Sequence, residues 1–253
     1  MVHFVGAGCG AKDLITVRGK EHIEKADVII YAGSLVNREL LDYNLKNAEI
    51  YDSAYMTLEE VIEVIKNAEK NNLYIVRLHT GDSSLYGAVR EQMDELDLLG
   101  IEYDVTPGVS AAFGAAAALK AEYTLPEVSQ TLILTRMSGR TRVPERESIR
   151  SLSSHGATMA VYLSASLADE LQEELIKGGY NEDTPAAVCV KVSWDDENIF
   201  RCTVGTIAET TKKNEIKKTC IYIIGDSINP KEYDKSRLYA ADFSTEYRKA
   251  KGQ

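Results

Sequence analysis

Leu73-Tyr74-Ile75-Val76-Arg77-Leu78-His79-Thr80-Gly81-Asp82-Ser83-Ser84-Leu85-Tyr86-Gly87-Ala88 carries the reading of the fold. A short apolar run breaks into a loop of glycine, acid and hydroxyls, as a buried strand does when it ends at a ligand-facing turn. Residues 57–70 precede it with helical spacing: Leu58, Val61, Ile62 and Ile65 share one face, and Thr57 with Glu60 has capping-box spacing. A second helix is expected after Ser84, with Val89, Met93 and Leu96 facing inward. Further apolar runs begin at Val2, Asp27, Glu49 and Glu102, with helical patterns between them. Strands alternating with helices imply a parallel sheet covered on both faces. Ligands of such sheets bind beyond the carboxyl ends of the strands.

The pattern changes after residue 118. Residues 119–130 are polar with a proline and read as a linker between an N-terminal α/β domain, 1–118, and a second α/β domain, 131–230. Strands are expected from Thr131, Thr158, Pro185, Ile199 and Thr219. A short loop, 195–198, separates the third and fourth of these and suggests a hairpin, so the second sheet has an antiparallel part. Residues 231–253 form a polar tail with several tyrosines, expected to hold a loosely attached helix.

The chain has 253 residues and a net charge of -10, with 44% hydrophobic and 27% charged residues. So acidic a protein is poorly suited to sequence-independent nucleic-acid binding, and an anionic substrate would need a local basic patch. The four cysteines, Cys9, Cys189, Cys202 and Cys220, form no C-x-x-C pair and no metal-ligand spacing. No signal-peptide pattern opens the sequence and no apolar run suits a membrane span, so the cytoplasm is the expected location and no membrane partner is expected.

Four segments carry candidate chemistry. Gly6-Ala7-Gly8-Cys9-Gly10 ends the first strand, but its G-x-G-x-G spacing and the absence of an acid after the next strand argue against an NAD-dependent oxidoreductase. In the loop after the fourth strand, Asp82 is either a ligand-binding acid or a helix N-terminal acid that stabilises the dipole. Thr106-Pro107-Gly108-Val109-Ser110 leads into an alanine run, with Ser110 suited to an N-cap. Arg136, Arg140 and Arg142 crowd one polar loop; such a cluster suits carboxylates or phosphates, or is a solvated loop.

Taken together, these segments resemble the tetrapyrrole methylase family. VGAGCGAKDLIT, from Val5, resembles the family's VGAGPGDPDLIT; RLHTGDSSLYGA, from Arg77, resembles its GDPSLYGA loop; TPGVSAAFGAAAAL, from Thr106, resembles its TPGVS helix start. YAGSLV from Tyr31, LTRMSGRTRVPE from Leu134 and KVSWDDE from Lys191 are narrower. They resemble the branch that methylates carbon 11 of precorrin-4 or cobalt-precorrin-4 in cobalamin biosynthesis. Two departures stand out: Cys9 and Ser83 replace prolines of the family motifs. Each loses a ring that restricts φ, so looser binding loops are expected.

The resemblance implies a two-domain class III methyltransferase fold, with a parallel-sheet N-terminal domain and a mixed-sheet C-terminal domain. It implies S-adenosylmethionine as cofactor, S-adenosylhomocysteine as product, and a homodimer. By motif, the cofactor should touch Cys9, Thr80, Gly81, Asp82, Leu85, Ser110 and Ala111, then Leu163, Val192 and Thr219. Carboxylates of the tetrapyrrole should meet Arg136, Arg140, Arg142 and Lys191, and Tyr31, Asp82, Arg136 and Met137 are candidates to line the reaction trough. The sulfonium is a leaving group already and the macrocycle is the carbon nucleophile, so alignment is the protein's main task. His79 is the nearest titratable group to act as a base, although a satisfied strand-end histidine is the better reading. No protein metal site is needed. Methylation at another carbon, or a binding protein without turnover, remain as alternatives.

Overall fold

The computed structural model describes residues 1–139, 141–236 and 240–250. The chain forms two compact units, one of residues 1–118 with 190–198 and the other of residues 119–189 with 199–253.

The first unit is built on five parallel strands: β1 (Val2–Gly6), β2 (Val28–Tyr31), β3 (Glu49–Asp52), β4 (Ile75–His79) and β5 (Tyr103–Thr106). Their order is β3-β2-β4-β1-β5. The three central strands are buried along their whole length, as expected where both faces are covered. Alternation sorts their side chains. Val2, Phe4, Val28, Ile30 and Ile75 pack with Val61, Ile62 and Ile65 of α2 (Leu58–Lys70) and Leu96 of α3 (Arg90–Leu99). Val5, Ile29, Val76 and Leu78 face the other way, with Ile23 of α1 (Val17–Lys25) and Leu40. The capping box of α2 forms between Thr57 and Glu60.

Helix α3 begins at Arg90, not directly after Ser84. Tyr86 and Ala88 have φ of 58° and 47°, a left-handed backbone that breaks any helix before it starts. The reading of Asp82 as a helix N-terminal acid therefore fails.

Arg77 and His79 point into the core from β4. Arg77 donates from Nε to Gln92 Oε1 at 2.9 Å, from Nη1 to the Ile30 carbonyl at 3.1 Å, and from Nη2 to Ser53 Oγ at 3.1 Å. Burial brings its pKa down to about 10, which leaves it charged at neutral pH. His79 is 2% exposed, its ring lies 5.9 Å from that of Phe4, and its Nε2 has no hydrogen-bond partner. Burial, helped by the charge of Arg77, pushes its pKa down to about 3. It is a buried core residue held neutral at neutral pH, as the structural reading of this histidine has it, but it is not the satisfied one expected from sequence, because Nε2 has no partner.

The second unit carries β6 (Leu132–Arg136), β7 (Thr158–Tyr162), β8 (Pro185–Val190), β9 (Asn198–Thr203) and β10 (Cys220–Ile224), ordered β6-β7-β10-β8-β9. β6 runs parallel to β7, and β10 antiparallel to it, so the sheet is mixed. Helix α6 (Ala168–Lys177) packs beside α5 (Ile149–Ser153) and α7 (Ile207–Lys213), burying Leu171, Leu175 and Ile207. β8 and β9 are sheet neighbours, but the connection is 191–197, longer than the loop expected from sequence. Segment 120–131 has no helix or strand, yet it is tied down: Tyr123 and Leu125 are buried, and Thr158 Oγ1 donates to the Tyr123 carbonyl at 2.8 Å. The helix expected in the tail does not form among the described residues beyond Pro230. Backbone N–H groups of Tyr247 and Arg248 bond the Thr245 side chain in a local turn instead. Among the described residues, no helix is long and apolar enough to cross a membrane.

The His79 imidazole makes the fold sensitive to acid. Its native pKa, about 3, lies below its ordinary value of 6.5, so the unfolded chain takes up the proton first. The stability tied to its neutral form is complete above pH 6.5 and is lost as the pH falls toward 3. From pH 7 to pH 5 this residue should cost about 2 kcal/mol of unfolding free energy in urea titrations, and His79→Leu should remove that part of the slope. A variant with the wild-type pH slope would show that His79 is protonated without penalty.

Candidate active site

Three glycine-containing loops meet at the carboxyl ends of β4, β1 and β5, neighbours in the sheet. Gly8 and Gly81 form an isolated antiparallel bridge, with Gly81 N donating to Gly8 O at 2.9 Å and Gly8 N to Gly81 O at 3.2 Å. Ala7 N donates to the His79 carbonyl at 2.7 Å. The third loop comes closer still. A Cβ on Gly108 would stand 2.1 Å from Gly81 O and 2.8 Å from Gly6 Cα, and one on Gly6 would stand 2.6 Å from Gly108 N. At these two positions glycine is a steric requirement, because the obstacle is backbone.

Asp82 joins the second loop to the third. Its Oδ2 accepts from Gly108 N at 2.9 Å, and its Oδ1 accepts from Ser84 N at 2.9 Å and from the Ser84 hydroxyl. Burial acts to raise its pKa, but these hydrogen bonds prevail and hold the carboxyl below the usual range. Beyond Gly108, Ser110 is buried and immediately precedes α4 (Ala111–Leu119), with its carbonyl accepting from Phe113 N and Gly114 N. Thr80, between His79 and Gly81, has a buried Oγ1 with no partner. An orphaned hydroxyl among close-set glycine backbones is what a polar ligand would satisfy. The arrangement therefore fits a nucleoside-type cofactor that needs backbone donors, a hydroxyl and an acid.

The first loop has a further neighbour in segment 190–198. Trp194 Nε1 donates to the Cys9 carbonyl at 3.1 Å, and Ser193 Oγ accepts from Ala11 N at 3.0 Å. Ser193 Oγ also lies 3.3 Å from Cys9 Sγ. Val192 is 4% exposed, and its Cγ1 would be 2.7 Å from a Cβ on Gly114 of α4. Cys9, Thr80, Gly81, Asp82, Ser110, Ala111 and Val192 thus gather in the first unit around the ends of β1, β4 and β5. Leu85 lies in the same loop as Asp82 and is half-buried. Sequence reasoning did not single out Trp194 or Ser193; the KVSWDDE motif marked their segment without giving them a role.

In the second unit, Leu163 follows β7 and Thr219 precedes β10. The antiparallel register brings both to one end of that sheet, with Met137 just past β6. Leu163 is 64% exposed and has φ of 52°, and Thr219 has φ of 55°, backbone strain of the kind that gathers at functional sites. Met137 N is held by Ser164 Oγ at 3.0 Å. Arg136 ends β6 and donates to the Thr141 carbonyl at 3.1 Å; Arg142 is exposed; Arg140 lies outside the described residues. Lys191 belongs to the first unit and pairs with Asp196. Tyr31 is 4% exposed and donates to Asp52 Oδ2 at 2.8 Å, with the Arg38 guanidinium 5.6 Å from its ring centre.

The loop contact makes a steric prediction. Gly108→Ala should lower the melting temperature and weaken any ligand held by these loops, since overpacking against backbone costs about 1–3 kcal/mol or more. Gly139→Ala is the control, because nothing lies within 4 Å of its added Cβ. Equal behaviour of the two variants would disprove the close approach.

Residues 1–208 match the tetrapyrrole (corrin/porphyrin) methylases. The cobalt-precorrin-4 C(11)-methyltransferase of Methanocaldococcus jannaschii is 56% identical over 249 residues, covering 98% of this chain and 96% of that protein. The enzyme of the same name from Priestia megaterium is 41% identical over 251 residues, covering 98% and 97%. Among solved structures, the X-ray structure of a cobalamin biosynthetic enzyme, cobalt precorrin-4 methyltransferase, superimposes with a TM-score of 0.88 at 41% identity, covering 90% of this chain and 96% of that one. Uroporphyrin-III C-methyltransferase from Thermus thermophilus shares the fold at 20% identity, with a TM-score of 0.76 and coverage of 93% and 96%. A family match across most of the chain, joined to relatives this similar over nearly their full length, means that the chain belongs to the tetrapyrrole (corrin/porphyrin) methylases.

Proposed function

We propose that this enzyme transfers a methyl group from S-adenosylmethionine to carbon 11 of a precorrin-4-type macrocycle, with or without cobalt, in cobalamin biosynthesis. The observation that carries the reading is the meeting of the three glycine loops at the ends of β4, β1 and β5, in a chain that matches C(11)-methyltransferases over 98% of its length. When bound, S-adenosylmethionine supplies a methyl group on a positively charged sulfur. The residues of the chain bind and align. Gly81 and the start of α4 bring bare backbone to the cofactor, Thr80 offers its unpaired hydroxyl, and Asp82 fixes the distance between the second and third loops. By family motif, Leu163 and Thr219 are the cofactor candidates of the second unit. Alignment of this kind accounts for about 7–11 kcal/mol of a bimolecular barrier.

The substrate is a polycarboxylate and the chain is acidic, so the arginines of the loop after β6 are its partners in this reading. Arg136, Arg140 and Arg142 receive carboxylates, and Met137 lines the macrocycle. Lys191 would exchange Asp196 for a substrate carboxylate. The same reading carries a homodimer and a cytoplasmic location.

The test is titration calorimetry of the full chain with S-adenosylhomocysteine, followed by turnover of cobalt-precorrin-4. One site per chain is expected. Asp82→Ala should weaken it roughly tenfold or more, since charge-assisted hydrogen bonds contribute about 1.5–3 kcal/mol. With carbon-13 in the cofactor's methyl group, the product's NMR spectrum should show one enriched methyl signal, bonded to carbon 11. A wild-type chain that binds no S-adenosylhomocysteine would sink the cofactor assignment, and label at another carbon would place the enzyme in another branch of the family.

A further inference from the structure

We propose that Trp194 and Ser193 are positioning residues for the cofactor, acting through the first glycine loop; the inference rests on the S-adenosylmethionine reading above. Neither side chain needs to touch the cofactor. What they hold is the backbone of 9–11, the stretch in which this chain has Cys9 where the family motif has proline.

Three side chains converge on that stretch. The Trp194 indole donates to the Cys9 carbonyl at 3.1 Å. The Ser193 hydroxyl accepts from Ala11 N at 3.0 Å and sits 3.3 Å from Cys9 Sγ. Asn37 Nδ2 donates to the intervening Gly10 carbonyl at 3.1 Å. The fit is tight: a Cβ on Gly10 would meet Trp194 Cδ1 at 2.4 Å and the Val192 carbonyl at 2.6 Å. On the far side, Cys9 Sγ and Val192 Cγ1 would each lie 2.7 Å from a Cβ on Gly114 of α4. Segment 190–198 therefore packs the first loop against α4, at whose start Ser110 and Ala111 are themselves cofactor candidates.

The strap is built under strain. Lys191 and Ser193 have φ of 46° and 64°, unfavourable for residues with a Cβ, and a relaxed loop would give both up. They are held by Trp194 N bonding the Lys191 carbonyl at 3.0 Å, Ser193 N bonding Glu197 Oε2 at 2.7 Å, and Glu197 N bonding the Trp194 carbonyl at 3.0 Å. Proline would restrict the loop covalently through its ring. Here the restriction comes from outside, through an indole N–H and a hydroxyl. The loop is not the looser one that the loss of the ring alone implies.

The experiment compares the wild-type chain with Trp194→Phe, Ser193→Ala and Ser193→Gly. It measures calorimetric affinity for S-adenosylhomocysteine, KM for S-adenosylmethionine, kcat at saturating cofactor, and melting temperature. Trp194→Phe keeps an aromatic ring but loses the donor and the Cδ1 edge beside Gly10; it should weaken binding and raise KM at least three- to tenfold, roughly the span of one hydrogen bond, with kcat unchanged. Ser193→Ala should do the same. Ser193→Gly relieves the backbone strain but also lacks the hydroxyl, so it should bind as weakly as Ser193→Ala without melting lower. Trp194 is the only tryptophan, so its emission should shift as the wild type is titrated. Wild-type affinity in Trp194→Phe and Ser193→Ala, or a fall in kcat at constant KM, overturns the proposal while leaving the cofactor reading intact. Full affinity in Ser193→Gly overturns the role of the hydroxyl. Absence of binding by the wild type overturns the cofactor reading and the positioning role with it.

Discussion

Backbone meeting backbone, with no side chain between, is the constraint on which the first unit depends. Gly6, Gly81 and Gly108 approach so closely that any Cβ at Gly6 or Gly108 would overlap a main-chain atom. The β4-β1-β5 order brings the three strand ends together, and the glycines let the loops beyond them touch. Asp82 then converts proximity into a fixed spacing by accepting from Gly108 N with one oxygen and from Ser84 with the other. Its carboxylate is thus partly committed to structure, and its influence on a ligand runs largely through the loops it holds.

The core beneath is polar where it would be cheapest to be apolar. Arg77 and His79 sit two residues apart on β4, facing the same side as Phe4 and Ile75. The guanidinium meets Gln92, Ser53 and a carbonyl, so its charge is solvated by neutral dipoles. It also helps keep the neighbouring imidazole neutral. The strand that delivers Thr80 and Gly81 is therefore anchored by directional bonds to β2, to Ser53 after β3 and to α3.

Most strands of both units were legible from short apolar runs, and the α2 capping box from two residues, because those signals are local. The turn after Asp82 was not legible: Ser83 to Ala88 carry no helix breaker except Gly87, and residue type does not announce the left-handed backbone at Tyr86 and Ala88. The three glycine loops were visible one by one, and their meeting was implied by the parallel-sheet pattern and by the family motifs. Trp194 and Ser193 were beyond reach, since nothing local in KVSWDDE says that it binds a loop some 180 residues earlier. Among the described tail residues no helix forms, for the opposite reason: a polar run with helix-compatible residues has no apolar face to bury.

The return of 190–198 to the first unit has a consequence for synthesis on the ribosome. Residues 1–118 emerge first and contain all five strands of the parallel sheet, but not the segment that closes on Gly10. The first unit can reach its full set of contacts only after residue 198 has emerged, by which time the residues of β6, β7 and β8 of the second sheet have been synthesised. The contacts of longest sequence separation are thus made last, at the highest cost in chain entropy. The two units cannot be read as beads made in succession, because the chain must visit the second before it can finish the first.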